Sequence, residues 1–248
     1  METLAIGAGL LSMLVSLGVG IKLVRLAGRT QQLPELLIGV SMVMMGFGWS
    51  VLGTAARQAQ DLSDAMRVGV MVAAALCAIV GTSCLALFNW KVFRSGVVWA
   101  GVVAAAVTLS LVAICLAQTL GSGWLAFARE EQGPWRLVTW IGFVNYVWSA
   151  VEAWRHHRMM MRRQRLGLVD PVVLDRVRLW SITMSSAVVA TLIFGTLQAY
   201  GIPINGTPIG LALTAVISLV SCGAMFLAFV PPSAYLASVQ RRSAVAAA

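Results

Sequence analysis

Seven long stretches of the chain carry almost no charge, and their spacing sets its architecture. Apolar residues dominate about 3–26, 33–56, 67–90, 96–119, 135–157, 179–201 and 207–231. Each run supplies the roughly 20 residues that a helix needs to cross a hydrocarbon layer about 30 Å thick. Gly, Ala, Leu and Val run on continuously inside them instead of alternating with polar residues. The backbone is therefore expected to satisfy itself as helices and not as a barrel. The pattern predicts an all-α integral membrane protein, one domain over 1–248 built as a seven-transmembrane-helix bundle. The first run is too long, and too free of a small-residue cleavage site, for a removed signal peptide.

Composition agrees: 59% of 248 residues are hydrophobic and 11% charged, with a mean hydropathy of +0.86. A soluble domain of this size could not cover so apolar a core. Charge adds orientation. With the N-terminus outside, 14 of the 18 Lys and Arg residues fall on one side, and the other four, Arg57, Arg67, Arg129 and Arg136, on the other. Glu2, Asp61, Asp64, Glu130 and Glu131 leave that second side near neutral. The excess predicts a bacterial inner-membrane protein with its C-terminus in the cytoplasm. The net charge of +9 then marks topology and attraction to anionic lipids, not nucleic acid.

The link between the fifth and sixth runs is the most informative segment. Gly133-Pro134 is a helix start, and nothing interrupts helical propensity until Gly167; Asp170-Pro171 is an N-cap followed by Pro in the first turn. Two helices of roughly 31–33 residues, about 45–50 Å long, would overshoot the bilayer as a basic hairpin over 158–178 with its turn at 166–169. Its Arg158, Arg162, Arg163 and Arg165 suit contact with anionic head groups. A docking element for a protein partner in the membrane or cytoplasm is the alternative.

Buried ionisable groups are costly in a membrane and mark function when present. Glu35, after Pro34 in a first turn, is accounted for by the helix dipole. Glu152 belongs to a stripe, Asn145, Ser149, Glu152 and His156, at helical spacing on the fifth helix. The pair Glu152 and His156 could bind a metal or relay a proton, but only Glu35 offers a third ligand. Neutralisation of Glu152 by Arg155 or Lys22 is the plainer account, and His157 is expected at the interface. Ser181, Thr183, Ser185, Ser186, Thr191 and Thr196 on the sixth helix, and Thr214, Ser218 and Ser221 on the seventh, suit close helix packing. They also allow a ligand pocket among the last three helices, lined by Trp140, Asn145, Tyr146, Thr191, Gln198, Thr214 and Ser218.

Other features narrow the chemistry. Cys77, Cys84, Cys115 and Cys222 lie within the runs without ligand spacing, so neither disulfide nor metal is expected and no cofactor is implied. Trp90, Trp124, Trp135, Trp154 and Trp180 fall at run ends and are expected as an interfacial belt, with Trp124 to Phe127 an interfacial piece of an outer loop. Asn205-Gly206-Thr207 matches a glycosylation sequon by chance. Residues 207–231 hold no lysine for a retinal Schiff base. Asn89-Trp90-Lys91 stands where G-protein-coupled receptors carry Asp-Arg-Tyr, and their Asn-Pro-x-x-Tyr is missing.

A different resemblance is closer. Glu152-Ala153-Trp154-Arg155, the run Arg162 to Val173, and Leu33-Pro34-Glu35-Leu36-Leu37-Ile38-Gly39 resemble a group of uncharacterised bacterial seven-transmembrane-helix proteins. Those are similar in outline to the seven-helix sensing modules of some bacterial histidine kinases. The resemblance implies a non-enzymatic protein of sensor or receptor type that binds a small apolar ligand or lipid and couples to a partner through the fifth and sixth helices. An accessory structural subunit of a larger membrane complex is the second reading and a small transporter or channel the third. None of these features sets an oligomeric state.

Overall fold

The structure, a computed structural model, describes residues 2–59, 61–130, 133–164, 166–201 and 208–247, the side chains of 2, 130, 208 and 242–247 excepted. Glu131, Arg165, the Asn205 to Thr207 sequon and the side chains of Glu2, Glu130 and Arg242 lie outside the described residues. Among those described there is no strand. The helices are α1 (Glu2–Thr30), α2 (Leu33–Gln58), α3 (Asp64–Phe93), α4 (Val98–Leu120), a short α5 (Gly123–Glu130), α6 (Val138–Gln164) after a 3₁₀ turn at Pro134–Leu137, α7 (Pro171–Ala199), α8 (Pro208–Phe229) and α9 (Ser233–Ala247).

Six described helices, α1, α2, α3, α4, α7 and α8, are long and apolar enough to cross a membrane. That defines an all-helical chain with the make-up of a multi-pass membrane protein. The expected fifth span is different. Helix α6 has the length, 27 residues, but Asn145, Ser149, Glu152 and Arg155 dilute its apolar content. It begins at Val138 because the chain turns through the 3₁₀ segment that Pro134 opens.

Between α6 and α7 the chain turns at 166–169, and both helices are shorter than the roughly 31–33 residues expected. Helices α6 and α7 have 27 and 29 residues, about 40 and 44 Å. Gly167 adopts φ +70°, open to glycine at little cost, and Leu168 N–H bonds back to the Arg163 carbonyl at 3.1 Å. Asp170 caps α7, its carboxylate accepting from Val172 N–H at 2.8 Å, with Pro171 in the first turn.

By compactness the chain divides into 16–145 and a second unit made of 1–15 with 146–248; the division runs through α1 and α6. In 16–145, glycines let backbones meet. A Cβ on Gly20 would lie 3.0 Å from the Gly39 carbonyl, and one on Gly39 would lie 3.0 Å from the Gly20 carbonyl, the small-residue packing that helices use in lipid. Against α3, Gly48 faces Cys77, and a Cβ on Gly81 would stand 2.7 Å from the Met45 backbone N. Met42–Trp49 of α2 is π-helical, as is Asn89–Phe93 at the end of α3. Arg67 donates to the Ala56 and Ala59 carbonyls at 2.5 and 2.8 Å, closing the C-terminus of α2.

One end of this unit is an aromatic cluster. Trp135, 2% exposed, packs on Trp49 and Trp124 at 6.0 and 5.0 Å between ring centroids, and the Arg57 guanidinium lies over Trp49 and Phe127. Trp124 and Trp135 are therefore not belt residues, and α5 turns Trp124 and Phe127 inward. Trp180, also expected in the belt, is buried edge-on against Phe229.

In the other unit α7 packs on α8 through Leu179, Ala224 and Ala228. Ala5 and Ala8 of α1 meet Ala215. Helix α9 resumes after Pro231-Pro232 and is tied to α7 where the Tyr235 hydroxyl donates to Asp175 Oδ2.

Candidate functional site

The stripe on α6 turns inward, as its spacing requires: Asn145, Ser149 and Glu152 are buried and His156 is half-buried. His157, expected at the interface, is buried too and packed edge-on against the Trp154 ring at 5.6 Å. Asn145 is committed to structure. Its Oδ1 accepts from Asn89 Nδ2 at 3.3 Å and its Nδ2 donates to the Thr82 carbonyl at 3.1 Å, which fastens α6 to α3 without a charge. Glu35 accepts from the Thr30 hydroxyl at 2.5 Å across the α1–α2 turn. Among the described residues no three of His, Cys, Asp and Glu converge as a metal site would require.

The expected pocket residues have varied surroundings. Trp140 is exposed and packs edge-on against Phe143; Tyr146, Gln198 and Ser218 are half-buried. Thr191 and Thr214 donate to the carbonyls of Ala187 and Gly210, one turn back on their own helices, at 2.6 and 2.8 Å. Ser181, Thr183 and Ser185 do likewise. Ser186 and Ser221, at 2.5 Å, are the hydroxyl pair that joins α7 to α8. Arg158, Arg162 and Arg163 are exposed along the last turns of α6.

Two buried amides escaped the sequence reading. Asn89 carries the contact to Asn145. Gln118, fully buried, donates to Ser122 Oγ at 2.9 Å and the Gly123 carbonyl at 2.6 Å, and accepts from Trp135 N–H at 3.0 Å. Gly133, with φ +108°, fits against it because a Cβ there would lie 2.4 Å from Gln118 Oε1. The signal was available: an amide at the end of an apolar run must find partners or carry a desolvation cost of about 1–3 kcal/mol.

An open groove was also not foreseen. One pocket, about 390 Å³, lies between α1 and α2 and is lined by Ile21, Val24, Arg25, Val40, Val43 and Met44. A second, about 310 Å³, runs along α1 past Gly18, Lys22, Leu26 and Arg29 and shares Ile21 and Arg25 with the first. Val43 and Met44 belong to the π-helical segment of α2. The groove thus borders backbone that departs from α-helical hydrogen bonding, a departure frequent at functional sites.

These features define an all-helical membrane-type protein with buried polar groups and an open groove between α1 and α2. No family model matches the chain, and no curated protein or solved structure does.

Proposed function

We propose that the chain is a non-enzymatic bacterial inner-membrane protein of sensor or receptor type, akin to the uncharacterised seven-helix proteins it resembles. Seven helices span, α6 being the fifth, with the N-terminus outside and the C-terminus cytoplasmic. The observation that carries this reading is the eight-residue π-helical segment Met42–Trp49, seated against glycine contacts on one side and an open groove on the other. Moving a π segment along a helix re-aims the side chains it displaces, so a molecule in the groove has two backbone arrangements to choose between. The polar groups of α6 support a structural interior, since Asn145 is bonded to α3. Helices α6 and α7 then carry the change to a partner at Arg158, Arg162 and Arg163.

Amide hydrogen exchange tests this. Protein purified in mild detergent with its co-extracted small molecules is compared with delipidated protein. The expected outcome is a severalfold change in exchange at 42–49 together with a change in the hairpin 158–178. Identical exchange in both segments would sink the sensor reading. Stoichiometric co-purification of another membrane protein, with no bound small molecule, would replace it by the accessory-subunit reading.

A further inference from the structure

We infer that the α1–α2 groove binds one anionic phospholipid, an acyl chain lying along Ile21, Val24, Val40, Val43 and Met44 and the phosphate held by Arg25 and Arg29. This deepens the sensor reading by naming its ligand class, and rests on it for the orientation of α1 and for the consequence of binding.

The lining sorts by polarity. Between α1 and α2 the groove is apolar except for Arg25; along α1 it adds Lys22 and Arg29. Among the described residues no acidic side chain lines either part. Lys22, Arg25 and Arg29 follow i, i+3, i+7, so they share one face of α1 and cover about 10 Å of its length. That span exceeds a head-group layer of about 5–7 Å, so the three cations reach from the head groups to the edge of the hydrocarbon. The positive-inside excess assigns this end of α1 to the cytoplasmic leaflet, where anionic lipids are held by basic clusters beside transmembrane helices. Arg25 lines both parts, so a ligand in the groove passes from hydrocarbon to cation beside it. A neutral apolar molecule would make no use of Arg25 and Arg29, and a small water-soluble anion would make no use of the apolar wall. Gly18 keeps the entrance open: nothing lies within 4 Å of where its Cβ would be.

The test uses the full chain reconstituted in phosphatidylcholine vesicles with a small fraction of spin-labelled phosphatidylglycerol, and spin-labelled phosphatidylcholine in parallel. The proposal expects about one motionally restricted anionic lipid per chain above the neutral-lipid level. Arg25→Gln/Arg29→Gln should weaken the preference about tenfold or more, each cation contributing roughly fivefold. Gly18→Leu changes no charge and favours the helix, so it folds, yet it should reduce binding severalfold by filling the groove. The site is overturned if phosphatidylglycerol shows no preference, if the double variant binds like the parent, or if Gly18→Leu leaves binding unchanged. Displacement of the labelled lipid by inorganic phosphate would overturn it in favour of a free-phosphate site. If anionic lipid fails while native extract still alters exchange at 42–49, the sensor reading stands and only this ligand falls.

Discussion

The two compact units solve the same problem, packing helices where lipid gives no hydrophobic drive, by different means. In 16–145 the glycines at 20, 39, 48 and 81 bring helix backbones to within a few ångströms of their neighbours, and side chains such as Arg67, Gln118 and Asn145 bond across elements. In the other unit Ser181, Thr183, Ser185 and Thr191 of α7 and Thr214 of α8 bond to carbonyls of their own helix, and Gly223 has open space around it. Close approach leaves no slack, so the first unit should respond sharply to added volume and lost amides. The second should respond weakly, because a hydroxyl satisfied within its own helix adds little between helices.

Added volume gives the largest expected effect. Gly81→Leu drives a side chain into the Met45 backbone and should cost about 3 kcal/mol or more, enough to abolish a monodisperse folded species. Gly223→Leu, the matched change in the other unit, should be neutral or stabilise by up to about 1 kcal/mol through helix propensity. Heating in detergent followed by size-exclusion analysis checks both. Equal losses for the two variants would erase the contrast between the units.

Gln118→Leu comes next. It removes three hydrogen bonds and leaves the Gly123 carbonyl and Trp135 N–H without the amide, a loss of about 2–3 kcal/mol. Because Trp135 and Trp124 pack together, tryptophan emission should shift to the red as that end loosens. Unchanged emission and heat resistance would show that the amide holds nothing together.

Much of this contrast could be read from the residues, and some could not. Length and hydropathy placed six of the runs on helices that suit a membrane, and Asp170-Pro171 announced α7 with its cap. Helix α9 lies beyond the last apolar run, which ends at 231, and Pro231-Pro232 marks the break between the two helices. The π segment had no local signal: Met42-Val43-Met44-Met45-Gly46-Phe47-Gly48-Trp49 is as compatible with an α-helix, and its close contacts are with residues distant in sequence such as Cys77 and Gly81. Trp124 and Trp135 were misplaced because a tryptophan near a run end suits either a head-group belt or a buried cluster. Arg57, whose guanidinium lies over Trp49 and Phe127 in the cluster, is far from Trp124 and Trp135 in sequence. The stripe of Asn145, Ser149 and Glu152 was found because helical periodicity alone reveals it, whereas the partner of Asn145, Asn89, lies 56 positions away.

The smallest effect is the most discriminating. Thr191→Val and Thr214→Val keep side-chain shape and remove hydroxyls whose acceptors are carbonyls of their own helices, at 2.6 and 2.8 Å. Each carbonyl is one turn back in a continuous helix, where it can still serve the backbone ladder. Valine's branched side chain leaves the packing volume in place. Hydroxyl bonds in membrane bundles average about 0.6 kcal/mol even when they join two helices, so each substitution should cost less than about 0.5 kcal/mol. Thermal resistance in detergent measures the first point, and mass spectrometry of small molecules retained by the double variant measures the second. A loss above about 1.5 kcal/mol, or disappearance of a retained molecule, would mean that these hydroxyls serve a ligand among the last helices rather than their own backbones. The weakly coupled unit would then be the one that binds.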